Sequence, residues 1–319
     1  MNTRFGPFQA ITVFGAATVD RLAATFAPPV LAASNPGSSK TLVGGVGLNV
    51  ATALSRLGQQ VRFVGRIGAD PDGEAIIATA RAAGLDTESI AVSPHAKTAT
   101  YHAAFDDTGG LILGVADMAI NDELTPAAVA AAVNQTPRSG FWVVDANLPA
   151  DTLDFLVGEA EAARIPIAAL GVSPAKAVRL VPLLDRLSLL FVNRREAGAL
   201  LDIAVDDRRP PASELARGMA RRRTRNFVLS DGAGPLTVFA GEEMRSFAAL
   251  KAKVRRVNGG GDALAAGTIH GLARGESLFE AALSGLAAAA IAVENDRTIL
   301  ADLAPDALRA RLARAGAAT

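Results

Sequence analysis

Residues 255–267 read RRVNGGGDALAAG. Three glycines, Gly259, Gly260 and Gly261, stand directly before Asp262, and helix-forming alanines and a leucine follow. The succession predicts a Gly-rich turn opening a helix over about 262–273. Successive amides of such a turn, together with the helix N-terminus, make a cradle for an oxyanion that the helix dipole favours. Lacking side chains, the loop can meet a phosphoryl group at contact distance. Asp262 could serve there as an N-cap, but a cap accounts for one aspartate and not for three glycines. An anion cradle beside a carboxylate is what phosphoryl transfer to an alcohol requires. The amides stabilise charge on the transferred group, and the carboxylate takes the hydroxyl proton.

Around this stretch, β-rich runs alternate with Ala/Leu-rich helical segments: ITVFGAA, LNVATALSRLG, VRFVGRIG, GEAIIATARAAG, FWVVDANL, LDFLVGEAEAARI, PIAALGV, SLLFVN and FVLSDGAG. That rhythm predicts βαβ units, hence an α/β fold with a mostly parallel sheet and helices on both faces. Its ligands would lie at the carboxyl ends of the strands. Two segments break the rhythm, about 21–43 and 97–120. The first is rich in Pro, Ser and Ala; the second holds two extended runs around Asp-Asp-Thr-Gly-Gly. Both read as insertions into one domain spanning 1–319, able to pair into a small antiparallel sheet over the strand ends and act as a lid.

With 32 Lys plus Arg against 32 Asp plus Glu, the chain offers no bulk electrostatic attraction for nucleic acid or an anionic membrane. A small-molecule partner is expected instead. The absence of cysteine excludes disulfides, Cys-ligated zinc and thiol nucleophiles, and fits a reducing cytoplasm. The apolar run AITVFGAATV leads into Asp20 and reads as a buried strand. GLAAAAIAV at 285–293 is far short of the roughly 20 residues a membrane span needs and reads as a core helix. The run ARGMARRRTRN at 216–226 reads as the solvated face of a helix.

A second glycine cluster, VGGVGLNVATALSRLG at 43–58, places Gly44, Gly45 and Gly47 before a helix expected from about Asn49 to Leu57. The spacing is not G-x-G-x-x-G, so a dinucleotide site fits poorly. FVNRREAG sets Asn193 and Glu196 at the end of an apolar strand, at a spacing suited to hydrated Mg²⁺ and phosphate oxygens. VLSDGAGP sets Ser230 at another strand end, with Gly232 and Gly234 just beyond, where a nucleotide could lie against the backbone.

In this order the motifs resemble the PfkB/ribokinase family of ATP-dependent sugar and nucleoside kinases, over essentially the whole chain. The matching elements are Asp20 after the first strand, GGVGLNVATALSRLG, GRIGADPDG, VNRREA, LSDGAG and NGGGDALAAG. The resemblance implies a ribokinase-like fold with a β-sheet lid. It implies Asp262 as catalytic base, Gly259, Gly260 and Gly261 as anion hole, and Asn193 and Glu196 serving the Mg²⁺–phosphate region, Glu196 through water. It also implies Asp20, Gly45 and Asn49 on the substrate hydroxyls, with Asn193, Ser230, Gly232 and Gly234 on the nucleotide. ATP and Mg²⁺ are the implied cofactors, a K⁺ requirement is left open, and paired lids imply a homodimer.

A closer likeness is to the pseudouridine kinase branch, through SNPGSSKTLVGGVGLN, TATYHAAFDDTGGLILGVADMAI, VVDANL and VSPAKAVRL. It makes Thr98, Thr100 and Asp117 candidates near a nucleoside, against ordinary strand and turn chemistry. Leu48 stands where that branch carries Arg, Thr18 where Asn is common, and ALGVS at 169–173 where it has Asp-Pro-Val-Ser. Asn258 and Gly260 replace the usual Thr and Ala of the anion-hole loop. The expected activity is transfer of the ATP phosphoryl group to the 5′ hydroxyl of pseudouridine. The alternatives are another nucleoside, ribose or a ketose as acceptor, or a non-catalytic nucleoside sensor on the same fold.

Overall fold

The structure, a computed structural model, describes residues 5–137, 139–206, 209–255, 259–295 and 303–316. The first apolar run forms β1 (Ala10–Phe14), whose side chains alternate between two cores. Ile11 and Val13 enter one and Phe14 the other, as period-two geometry requires. There follow β2 (Thr18–Thr25), β3 (Gly37–Gly44), α1 (Val46–Arg56), β4 (Gln60–Gly68), α2 (Pro71–Ala82) and β5 (Ile90–Ser93). Then come β6 (Thr100–Phe105), β7 (Leu111–Asp117), α3 (Pro126–Asn134), β8 (Phe141–Asp145), α4 (Ala150–Ala163), β9 (Ile167–Leu170) and the single turn α5 (Pro174–Ala177). The chain continues through β10 (Leu189–Asn193), α6 (Arg194–Leu201), α7 (Ala212–Arg221), β11 (Asn226–Ser230), β12 (Leu236–Ala240) and β13 (Glu243–Phe247). It ends with α8 (Gly260–Ala273), α9 (Leu278–Glu294) and α10 (Pro305–Gly316).

The main sheet has the order β13-β12-β11-β10-β9-β8-β1-β4-β5. Its strands run parallel from β11 to β5, and the β12–β13 hairpin closes one edge antiparallel. Strand order reverses between β1 and β8, and ligands of open α/β sheets bind outside the carboxyl ends at such a reversal. Here those ends are Phe14 and Asp145. Helices α1, α2, α8 and α9 bury one face, and α3, α4, α6 and α7 the other. The apolar GLAAAAIAV lies inside α9, packed against α8 so closely that a methyl at Gly267 would meet the Ala288 Cβ at 2.8 Å. Among the described residues no helix is long and apolar enough to cross a membrane. The arginine-rich run ends α7 with Arg217, Arg221, Arg222, Arg223 and Arg225 exposed, a solvated face as expected.

The two insertions form a separate four-stranded sheet, β3-β2-β6-β7. It is mixed rather than antiparallel throughout: β2–β3 and β6–β7 are antiparallel hairpins, but β2 and β6 pair parallel, Val19 opposite Thr100. Both hairpins leave the body in the same direction, so their first strands lie side by side. Arg21 Nη2 donates to both carboxylate oxygens of Asp72, at 2.7 and 2.8 Å, and ties this sheet to the first turn of α2.

Candidate active site

The glycine turn opens α8 two residues earlier than the spacing predicts. Gly259, in the left-handed region at φ 86°, is its N-cap, so Gly260, Gly261 and Asp262 form the first turn. Helix geometry leaves first-turn amides without intrahelical partners. Among the described residues, a Cβ at Gly261 would meet no atom within 4 Å beyond its chain neighbours and own helix backbone, so packing there does not demand glycine. Asn258 lies outside the described residues.

Asp262 is half-buried in a pocket of about 160 Å³ whose lining also includes Gly261, Glu196, Asn193 and Ser230. Burial pushes its carboxyl up to about 7; the carboxylates of Asp145, Glu196 and Asp20 push the same way, against a hydrogen bond from Asn49. In that bond Asn49 Nδ2 donates to Asp262 Oδ2 at 2.7 Å, joining residues 213 apart in sequence. Among the described residues the Asn49 side-chain oxygen is buried with no hydrogen-bond partner. A buried acceptor left unpaired is costly, and a ligand hydroxyl would satisfy it.

On the acceptor side, helix α1 starts at Val46 rather than Asn49, with Gly45 as N-cap at φ 100°. Asp20 lies in β2 and accepts from the Thr18 hydroxyl at 3.0 Å, so the departure at Thr18 still presents a donor that orients this carboxylate. A Cβ on Gly44 would meet Asp20 Oδ2 at 2.9 Å. The strand register sets Thr100 opposite Asp117 and beside Val19, one position from Asp20, at the root of the lid. Leu48 is 2% exposed and packs in the core, so this departure points its side chain away from solvent.

Thr98 takes the structural alternative. Its buried hydroxyl donates to Asp70 Oδ1 at 2.6 Å and accepts from Gly68 N–H at 2.9 Å, while its own amide donates to Asp70 Oδ2. Replacing Thr98 with valine, which keeps the shape, is expected to cost about 1–3 kcal/mol of stability. The acceptor KM should stay within about twofold; denaturant unfolding and steady-state kinetics on the same variant check both.

Asn193 and Glu196 form a capping box at the start of α6: Glu196 N–H donates to Asn193 Oδ1 at 2.9 Å, and Glu196 Oε2 accepts from Asn193 N–H at 3.0 Å. Glu196 is nonetheless buried, its carboxyl pushed up by burial, and it faces the pocket. Gly171 makes room for it, since a Cβ there would meet Glu196 Oε2 at 2.5 Å; this accounts for glycine in the departing 169–173 stretch. The next residue, Val172, lines the same pocket in the left-handed region at φ 67°, a strained conformation for a β-branched side chain. Mg²⁺ binds through one or two carboxylates plus waters and substrate phosphates. Among the described residues no three His, Asp or Glu cluster into a metal cage, and both Glu196 oxygens already accept from Asn193. That donor set fits a hydrated ion held largely by phosphate. Ser230 lines the pocket, whereas Gly232 and Gly234 are not among its lining residues. They shape the turn after β11, Gly232 in the left-handed region at φ 58°.

Asp145 carries no role in the motif reading. It is fully buried at the carboxyl end of β8 and accepts three backbone N–H groups, from Ala16, Gly47 and Asn147. Burial pushes its carboxyl above the usual carboxylate range, against the pull of those donors. A lone aspartate closing an apolar parallel strand, VVDANL, was the available signal.

A large, mostly parallel sheet with a separate small sheet rooted at its switch point is the ribokinase-like α/β fold. The chain belongs to the pfkB family of carbohydrate kinases, whose model matches residues 9–304. It is 29% identical to a pseudouridine kinase of Escherichia coli over 259 residues, 81% of this chain and 82% of the relative. It is 27% identical to a ribokinase of Bacillus subtilis over 86% of this chain and 88% of that one. A solved carbohydrate kinase from Agrobacterium tumefaciens superposes with a TM-score of 0.81 at 33% identity, covering 96% of this chain and 97% of the other. The chain is thus a member of a family of phosphotransferases acting on carbohydrates and nucleosides.

Proposed function

We propose that the protein transfers the γ-phosphoryl group of ATP to the 5′ hydroxyl of a ribosyl compound, with pseudouridine as the acceptor. The observation that carries this reading is the Asn49–Asp262 hydrogen bond, which joins the acceptor motif to the anion-hole helix across the switch point. Asp20 and the unpaired Asn49 oxygen bind the sugar hydroxyls. With Oδ2 held by Asn49, Asp262 Oδ1 takes the 5′ hydroxyl proton as that oxygen attacks the γ-phosphorus and ADP departs. The amides of the anion hole at Gly259, Gly260 and Gly261, joined by that of Asp262 in the same turn, stabilise the charge on the phosphoryl oxygens. Mg²⁺, when bound near Glu196 and Asn193, supplies neutralisation of phosphate charge.

The likeness to the E. coli pseudouridine kinase favours that acceptor. The likeness to the B. subtilis ribokinase favours a free sugar instead, and so does Leu48, a buried residue at the position where the resemblance places the arginine of the pseudouridine branch. ADP release across pseudouridine, other nucleosides, ribose and ketoses decides between them. Turnover of ribose with none of pseudouridine would overturn the acceptor assignment.

We also propose that the lids pair into a homodimer in the cytoplasm. The outer strand β7 is exposed along its whole length, with Leu111, Leu113 and Val115 at 56, 62 and 52%. An apolar edge strand left open invites pairing. Replacing Leu113 and Val115 together with lysine is expected to halve the particle mass in light scattering; a wild-type mass of one chain would refute the dimer.

A further inference from the structure

Asp145 stands where strand order reverses, its carboxylate enclosed between the end of β1 and the first turn of α1. Oδ2 accepts from Ala16 N–H at 3.0 Å and Gly47 N–H at 2.8 Å, and Oδ1 from Asn147 N–H at 2.8 Å. Glycines make the room: a Cβ on Gly15 would meet Oδ2 at 2.5 Å, and one on Gly47 at 2.9 Å. On the far side, Arg179 Nη1 donates to the carbonyls of Ala146, Asn147 and Leu148 at 3.0–3.2 Å, and the Lys176 ammonium donates to Asn147 Oδ1. The 145–148 loop is therefore held from behind while its carboxylate reaches forward. Ala16 precedes the strand that carries Asp20, and Gly47 lies two residues before Asn49. Helix α1 has no side-chain cap of its own; its Gly47 amide is held by Asp145, 98 positions away, and its Leu48 amide by the carbonyl of Ala16, whose own amide Asp145 also holds. A neutral local cap would satisfy the same amide without burying a charge.

We infer that Asp145 is a positioning residue for phosphoryl transfer, pinning the first turn of α1 so that Asn49 is held against Asp262. The inference rests on the kinase reading above, in which Asn49 and Asp262 act together. Asp145→Asn keeps the shape but puts an amide nitrogen in place of one accepting oxygen. It should lower kcat about ten- to a hundredfold with the KM for ATP within about twofold. If Asp145 acts through Asn49, the double variant Asp145→Asn/Asn49→Ala is no slower than Asn49→Ala alone. A purely structural role lowers the active fraction, which multiplies through the double variant.

Turnover by the unmodified protein is measured first: its absence across the acceptor panel counts against the kinase reading. Amide hydrogen exchange of residues 46–50 then tests the tie without turnover. It is expected to speed at least about tenfold in Asp145→Asn. Should that variant fail to fold, Gly47→Ala crowds the same carboxylate and is expected to show the same non-additivity with Asn49→Ala. Unchanged exchange, retained kcat, or losses that multiply would each overturn the inference.

Discussion

Asp262→Asn is expected to lower kcat about a thousandfold, within the range that a positioned general base contributes. The asparagine can still accept from Asn49 Nδ2, so the site keeps its shape and loses only the proton acceptor. In the unmodified protein kcat/KM should rise with pH and level off above about 7, because the carboxyl is pushed up to about 7 and only its ionised form takes a proton. The same shift acts on stability with a definite sign. A carboxyl whose folded value lies above its unfolded value binds extra protons in the folded state between the two. That contribution is fully present below 3.8 and is lost as pH rises through about 7. At pH 8 the Asp262→Asn protein, carrying no charge there, should therefore be more stable than the parent by about 1–4 kcal/mol. A variant slower and yet harder to melt at pH 8 is the signature of a carboxylate kept for chemistry. Undiminished turnover would remove Asp262 from the role of base.

The second large effect is expected at Gly45. At φ 100° it occupies a conformation that L side chains rarely adopt, and a Cβ there would collide with the Ala16 carbonyl and meet Ala17 Cα at 2.9 Å. Both obstacles are backbone, so neither can swing aside. Gly45→Ala should cost about 3–5 kcal/mol and raise the acceptor KM more than about tenfold, since the shift passes directly to α1 and Asn49. Gly261→Ala is the informative contrast. Among the described residues, no atom beyond its chain neighbours and own helix backbone lies within 4 Å of its Cβ, so the melting temperature should hold while kcat falls by about tenfold or more as the methyl obstructs the phosphoryl group. Equal stability losses in the two variants would show that both glycines serve packing alone.

The parallel strands were legible because each is a short apolar run closed by a turn signal, and β10 ends with a capping box inside the N-x-x-E spacing itself. The glycine turn that opens α8 was legible for a similar reason: its glycines and Asp262 are consecutive in sequence. The start of α1 was not. Its Gly47 amide is tied to Asp145 and its Leu48 amide to the Ala16 carbonyl rather than to a neighbouring Ser or Asp, and no local pattern encodes a bond across 98 residues. The parallel β2–β6 pairing was hidden likewise, because hairpin signals report the strands they join and not how two hairpins meet. Thr98 shows the limit of such signals. A hydroxyl beside a lid strand suggests a ligand, yet Asp70 and Gly68 already use it.

The most direct measurement incubates the protein with ATP, Mg²⁺ and pseudouridine at pH 8, follows ADP, and locates the new phosphate by NMR. Acceptor-dependent ADP with a phosphomonoester on the 5′ oxygen, both lost in Asp262→Asn, is the expected result. Pseudouridine binding by calorimetry with ATP left intact, for it and for every nucleoside and sugar of the panel, would contradict a kinase and point to a sensor built on the same fold.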